Sequence, residues 1–331
     1  MSLTVGNIDL AGRAVLAPMS GVTDHGMRRI ARRFGATLVV SEMVASDAFV
    51  NGHEETRLRA EGAGIDPHIV QLAGCDPFWM SEAARLAEAS GASIIDINMG
   101  CPAKKVTGGY AGSALMRDID LALNLVEATI AAVRIPVTVK MRLGWDDTTR
   151  NAPELARRCE EAGVKLVTIH GRTRCQFYKG MADWDAISAV KAAVSIPVIA
   201  NGDCNSLETA QEMLRKSGAD AVMIGRAAIG QPWLVGMIAR GLDGGMSALP
   251  TLAQRRDAAI EHYQSLLSFM GREAGSRHAR KHLAAYADRR SDECETLSRS
   301  ERGTLVTTYS EKTVISILDK LFDASRLRSA A

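Results

Sequence analysis

The chain has 331 residues, with 40 Lys+Arg against 38 Asp+Glu, 47% hydrophobic residues and 5% aromatic ones. That apolar content excludes a disordered chain, and 6 cysteines with no CxxC pair exclude a disulfide scaffold. No apolar run reaches the roughly 18 residues of a membrane span and MSLTVGNIDLAG lacks a signal-peptide pattern, so a cytoplasmic, reducing setting without membrane contact is expected.

The first strand is expected at 13–18, followed by a helical pattern at 24–34. Strands at 37–42 and 68–72 follow, then a helix at 77–90, a strand at 93–97 and a helix at 117–132. The alternation continues with a strand at 137–141, a helix at 151–162, a strand at 165–169 and a helix at 183–193. It closes with a strand at 197–200, a helix at 205–217 and a strand at 221–224. Two punctuation marks support these boundaries. Gly35, Gly91, Gly163 and Gly218 each end a helical pattern and lead into a strand, as C-cap glycines do. Pro67, Pro136 and Pro197 each precede an apolar run, where the missing donor of proline is tolerated.

Eight such units in about 240 residues have the arithmetic of a (β/α)8 TIM barrel. A doubly wound nucleotide fold would need G-x-G-x-x-G after its first strand, and APMSGVTD does not match. The breaker cluster GLDGGMSALP at 241–250 ends the pattern. Helices are expected at 252–270 and 274–289, with one or two more over 304–323. The division is therefore a barrel over 1–243 and a small helical domain over 244–331. Residues 250–331 hold 14 basic and 11 acidic side chains, a slight positive bias.

In a barrel, function gathers at the C-terminal ends of the strands. Polar residues stand at most of these ends: Gln71, Asn98, Cys101, Lys140, Arg142, His170, Arg172, Arg174, Asn201, Asp203 and Arg226, with Pro18 and Met19 after the first strand. Any one buried amide could simply satisfy a neighbouring backbone group. Lys140, inside the apolar run VTVKMRLG, must bury its stem and find a partner for its ammonium. The loops ANGD (with Gly202) and IGRAAIG (with Gly225) offer backbone amides for a phosphate, and Arg226 adds charge. With Lys140 and Gln71 facing a planar polar ring, this is the layout for FMN across the barrel mouth, although a sugar phosphate fits the same composition. Cys101 lies in a glycine-rich loop, DINMGCPAKKVTGGYAGSAL, rather than in a core element. Metal ligands at suitable spacing are absent around it, so proton donor or nucleophile are its active roles and no metal is expected. The other cysteines read first as plain thiols, with Cys175 and Cys204 near the rim.

Taken in order, APMSGVTD (17–24), QLAG (71–74), DINMGCPAKKV (96–106), VKMRLGWDD (139–147), HGRTRCQFYKGMADW (170–184), ANGD (200–203) and IGRAAIGQPW (224–233) resemble the tRNA-dihydrouridine synthases. The similarity is greatest to the bacterial branch of DusB and the NifR3-like proteins. It continues into RKHLAAY (280–286), where Ala285 stands at a position that is often tryptophan in that branch.

The resemblance implies a TIM barrel with tightly but non-covalently bound FMN, NADPH as electron donor, and reduction of a uridine C5=C6 bond in tRNA, at position 17 of the D-loop. It implies FMN contacts from Pro18, Met19, Gln71, Lys140, His170, Asn201, Gly202, Asp203, Gly225 and Arg226. Cys101 becomes the general acid, delivering a proton to C5 as a neutral thiol. Asn98, Arg142, Arg172 and Arg174 would line the uracil and phosphate side. The basic run 272–290, including Arg277, Arg280 and Lys281, and the pair Lys104 and Lys105 would grip RNA phosphates. No obligatory protein partner is expected. Two rival readings are a flavin oxidoreductase of a small pyrimidine or enoate, which needs no basic helical appendix, and a non-enzymatic RNA-binding or regulatory protein.

Overall fold

The computed structural model describes residues 2–291 and 297–326. Cys294 lies outside them. The chain opens with an antiparallel hairpin, β1 (Ser2–Val5) and β2 (Ile8–Ala11). Eight parallel strands then close a barrel: β3 (Ala14–Leu16), β4 (Leu38–Ala45), β5 (Ile69–Ala73), β6 (Ile94–Met99), β7 (Val137–Arg142), β8 (Leu166–His170), β9 (Val198–Asn201) and β10 (Ala221–Ile224). Neighbours pair in chain order and β10 closes on β3, giving the expected (β/α)8 architecture.

Helices α1 (His25–Arg33), α2 (Ser46–Val50), α3 (Glu54–Ala60), α4 (Pro77–Ala89), α5 (Lys104–Thr107), α6 (Ile119–Ala132), α7 (Ala152–Ala162), α8 (Asp185–Ala193), α9 (Leu207–Ser217) and α10 (Leu234–Leu242) belong to the barrel part. The tail is helical: α11 (Leu252–Met270), α12 (Arg272–Ser291), α13 (Arg299–Thr307) and α14 (Glu311–Leu321). The segment 304–323 thus divides between two helices, broken at Thr308, where the backbone turns extended. Gly163 and Gly218 are left-handed C-caps (φ 111° and 65°), and Gly35 and Gly91 take φ of 99° and 92° one residue past the caps of α1 and α4. The hairpin and the short helices α2 and α3 were not expected from the pattern.

The strands sort their side chains by period 2. Outward residues such as Val70, Leu72, Ile95, Ile97, Val139, Met141, Val167 and Ile169 pack under the helices in one core. Inward residues begin apolar, with Val15, Leu38, Ile69, Ile94, Leu166 and Ile199. Leu3, Val5 and Leu10 of the hairpin pack with them, plugging that end of the barrel. Further along, the inward set turns polar: Gln71, Asp96 and Asn98, Thr138 and Lys140, Thr168 and His170, Asn201. The bottom of the barrel is therefore a dry core and the top a chemical surface.

The tail has its own core, built on Tyr263, Leu266, Leu283, Tyr286, Leu305, Val314 and Leu318, which also takes in Ile30 and Trp233 from the barrel part. Gly230 sits at this junction with φ 76°, and a Cβ there would lie 2.5 Å from the Ala285 carbonyl carbon. That close approach of two backbones leaves no room for a side chain. Gly230→Ala should destabilise the protein by about 3 kcal/mol from combined overpacking and left-handed strain. Thermal denaturation should show a lower melting temperature, and an unchanged one would mean the junction relaxes freely. Among the described residues, no helix is long and apolar enough to cross a membrane.

Candidate active site

The strand tops surround a cavity of about 760 Å³, within the size range of small-molecule sites. Pro18, Met19, Gln71, Asn98, Cys101, Lys140, Arg142, His170, Asn201, Gly202, Asp203, Gly225 and Arg226 all line it. The structure thus brings together residues that the chain spreads over more than 200 positions.

One hydrogen-bonded chain organises the β5–β6 side. Thr138 Oγ1 donates to Asp96 Oδ1 at 2.6 Å, and Gln71 Nε2 donates to Asp96 Oδ2 at 2.7 Å. Gln71 Oε1 accepts from Asn98 Nδ2 at 2.7 Å, and Asn98 Oδ1 accepts from the Cys101 amide at 2.9 Å. Both amide groups are oriented by this pattern, because Asp96 accepts at one end and a backbone N–H donates at the other. Cys101 is half-buried at the cavity edge, its carbonyl held by Ser113 Oγ at 2.8 Å. Asp96 was not among the expected site residues. Its signal was present in the sequence: it stands two residues before Asn98, on the same face of the strand.

On the opposite side, Lys140 Nζ donates to Asn201 Oδ1 at 3.1 Å, and Asn201 Nδ2 donates to the Met223 carbonyl at 2.9 Å. Burial lowers the Lys140 pKa to about 8, reinforced by Arg142 and opposed by Asp96 and Cys101. Burial raises Asp96 to about 6, against its hydrogen bonds from Thr138 and Gln71 and the charge of Lys140. His170 is driven well below its ordinary range by burial and by Lys140, Arg142, Arg172 and Arg226. It is therefore neutral. Arg172 Nη1 lies 3.3 Å from His170 Nε2, and arginine can only donate, so Nδ1 carries the ring proton.

Several expected residues serve as struts. Arg172 is 1% exposed and does not line the cavity. Its guanidinium bonds Asp203 Oδ2 at 2.6 Å, the Gly180 carbonyl at 2.6 Å and the Lys179 carbonyl at 3.1 Å. Asp203 faces the cavity, but it is engaged by Arg172 and by Arg226 Nη2 at 3.2 Å. Arg174 is likewise set back, stacked over Trp145 and Phe177. Arg142 donates to the carbonyls of Gly100, Thr173 and Phe177 while edging the cavity.

Lys104 and Lys105 are exposed on α5, just past the Cys101 loop and outside the cavity lining. Arg277 and Arg280 are exposed on α12, where Arg277 pairs with Glu273 and Arg280 sits over the Tyr309 ring. Lys281 instead points toward Gly21 of the barrel. Arg289, one charge of the basic run in the sequence, reaches the barrel mouth. Its guanidinium bonds the carbonyls of Ala227 and Ile229, and it lines the cavity. Only docking of the tail reveals this. Tyr178, between the guanidinium groups of Arg142 and Arg226, is a second lining residue that no sequence pattern singled out.

Lys140, Arg142, Arg226 and Arg289 thus face one cavity. Among the described residues its sole lining carboxylate is Asp203, which is already paired. The site suits an anionic ligand with a polar planar body.

Comparisons with known proteins bear on the fold and the family. In solved structures, the fold resembles a 2-naphthoyl-CoA reductase complex (TM-score 0.56, 13% identity, 74% of this chain and 52% of that one). It also resembles an old yellow enzyme homologue from Zymomonas mobilis (TM-score 0.50, 16% identity, 77% of this chain and 95% of that one). At such identities the likeness is one of fold. Sequence relatives include a probable tRNA-dihydrouridine synthase of Rhizobium leguminosarum bv. phaseoli, 54% identical over 97% of this chain and 98% of that protein. The tRNA-dihydrouridine synthase B of Xanthomonas campestris pv. campestris is 48% identical, covering 86% of each chain. Residues 15–316 match the profile of the family described as dihydrouridine synthase (Dus), and the chain belongs to that family.

Proposed function

We propose that this protein is an FMN-dependent tRNA-dihydrouridine synthase that uses NADPH to reduce the C5=C6 bond of a D-loop uridine, with position 17 as the expected target. The observation that carries the reading is the meeting of Cys101 with a cationic, strand-end cavity large enough for a flavin nucleotide. The lining residues fit FMN. The loops at Gly202 and Gly225, with Arg226, suit its phosphate, while Lys140, Gln71, Asn201 and the His170 Nδ1–H suit the polar edges of its ring. Bound FMN would supply the hydride.

The protein's own residues do the rest. Cys101 Sγ releases a proton to uracil C5, and the thiolate is then reprotonated from solvent. The Asp96–Gln71–Asn98 chain fixes the backbone that carries Cys101. Lys140 keeps positive charge in a desolvated floor, where it stabilises developing negative charge strongly. Arg142 and Asn98 hold the uracil side, and Arg172 and Arg174 support it from behind. The target base must leave its stack to enter, at a cost of a few kcal/mol that the RNA grip offsets.

Residues 1–243 serve as the catalytic unit and 244–331 as the tRNA-binding unit, with Lys104, Lys105, Arg277, Arg280 and Lys281 near the phosphates. tRNA, NADPH and reduced thiols share the cytoplasm, where we place the reaction. The Arg277→Ala, Arg280→Ala double variant should weaken tRNA binding without changing which uridine is reduced. The log–log slope of its salt dependence should fall by roughly 0.7–0.9 for each phosphate that is no longer neutralised. An unchanged slope in filter binding would remove these residues from the interface.

The direct test incubates the protein with FMN, NADPH and tRNA lacking dihydrouridine, and then applies nucleoside mass spectrometry. Uridine gaining two hydrogens is expected, with fragment mapping giving the position. No gain while flavin is bound and reduced would favour a small-molecule substrate.

A further inference from the structure

Away from the cavity, four titratable groups meet where the barrel's first helix touches the tail. Asp24 caps α1, its Oδ1 accepting from the Met27 amide at 3.0 Å. From the tail, α11 brings His262, and α12 brings His278 and His282. His262 is fully employed: Nε2 lies 3.0 Å from Asp24 Oδ2, and Nδ1 lies 3.2 Å from the Tyr286 hydroxyl. The other two imidazoles are not. His282, only 3% exposed, turns its Nε2 to Asp24 Oδ2 at 3.3 Å. Nε2 of His278 is buried without a hydrogen-bond partner. Leaving that atom unpaired is costly, which points to a missing ligand.

One ligand atom from each of Asp24, His278 and His282 lies within 4.8 Å of the others. His278 and His282 are four residues apart, so a single helix face carries both. We propose that Asp24, His278 and His282 form a site for a divalent transition metal of the zinc type, joining the barrel to the helical tail. Two imidazoles and a carboxylate are a donor set that such ions accept, at bond lengths of roughly 2.0–2.2 Å. A neighbouring cavity of about 100 Å³, lined by Asp24, His278 and Glu42, has room for a water as fourth ligand. His262, bonded to Asp24, orients the carboxylate as an outer partner does.

The experiment uses the full-length protein after chelator treatment, titrated with Co2+ alone and then with Zn2+ alone. One ion per chain is expected, with visible Co2+ bands of a low-coordinate site that Zn2+ displaces. Zn2+ should also raise the melting temperature in a concentration-dependent way. His278→Ala removes an atom that has no partner to lose, so the fold should persist while affinity falls more than about 100-fold. Asp24→Asn keeps a capping oxygen and should weaken binding in the same direction. The exposed His53→Ala should leave affinity unchanged. No binding at micromolar metal, or an affinity that His278→Ala leaves intact, overturns the proposal.

Discussion

Cys101→Ala should lower uridine reduction by roughly 10²–10⁴-fold, the usual contribution of a positioned general acid. Flavin binding and its reduction by NADPH should survive, because the Cys101 thiol is no part of the cationic floor. The structure gives this separation a basis. The backbone at residue 101 is held by Asn98 Oδ1 and by Ser113, through the amide and carbonyl rather than through sulfur. Removing the thiol therefore leaves the loop in place and takes away only the proton. Stopped-flow absorbance would follow flavin reduction by NADPH, and its reoxidation by tRNA would report the second half. Loss of the first half-reaction in Cys101→Ala would contradict the role assigned.

Lys140→Met should lower turnover by about 10²–10³-fold, comparable to the loss of one preorganised donor at a site of developing charge. Methionine keeps most of the buried stem, so the change isolates the ammonium and its bond to Asn201. A companion variant tests the electrostatics through pH. The Lys140 pKa is lowered to about 8, with Asp96 among the groups holding it up. Activity that needs the ammonium should fall as pH rises through that value. Asp96→Asn removes a charge that raises the Lys140 pKa, so that pKa drops further and the alkaline limb should move to lower pH. Asparagine can still accept from Gln71, which leaves the Cys101 support standing. A pH profile with an unmoved limb would mean that Asp96 does not tune Lys140.

Much of the architecture follows from local rules that a sequence displays. Gly35, Gly91, Gly163 and Gly218 mark helix ends because only glycine takes their positive φ without strain. Polar residues at strand ends are visible because a strand's side chains alternate and an apolar run ending in Asn, Lys or His stands out. Thus Gln71, Asn98, Lys140, His170 and Asn201, and Cys101 in its glycine-rich loop, are candidates before any fold is built. The N-terminal hairpin escapes such rules because two four-residue strands carry little pattern, and their place as a plug depends on a barrel to be plugged.

What the tertiary structure alone decided concerns partners. Arg172 and Asp203 look like ligand contacts in the chain, and they neutralise each other in the fold. Arg289 looks like one charge among several on a helix, and docking of the tail carries it to the barrel mouth. His262 meets Asp24 across 238 residues of sequence, and with them come His278 and His282. Residue type and periodicity determined which groups could do chemistry, because those are properties of short segments. Which groups are free, which are paired and which converge is a property of long-range packing, where burial fixes charge state and distance fixes the partner.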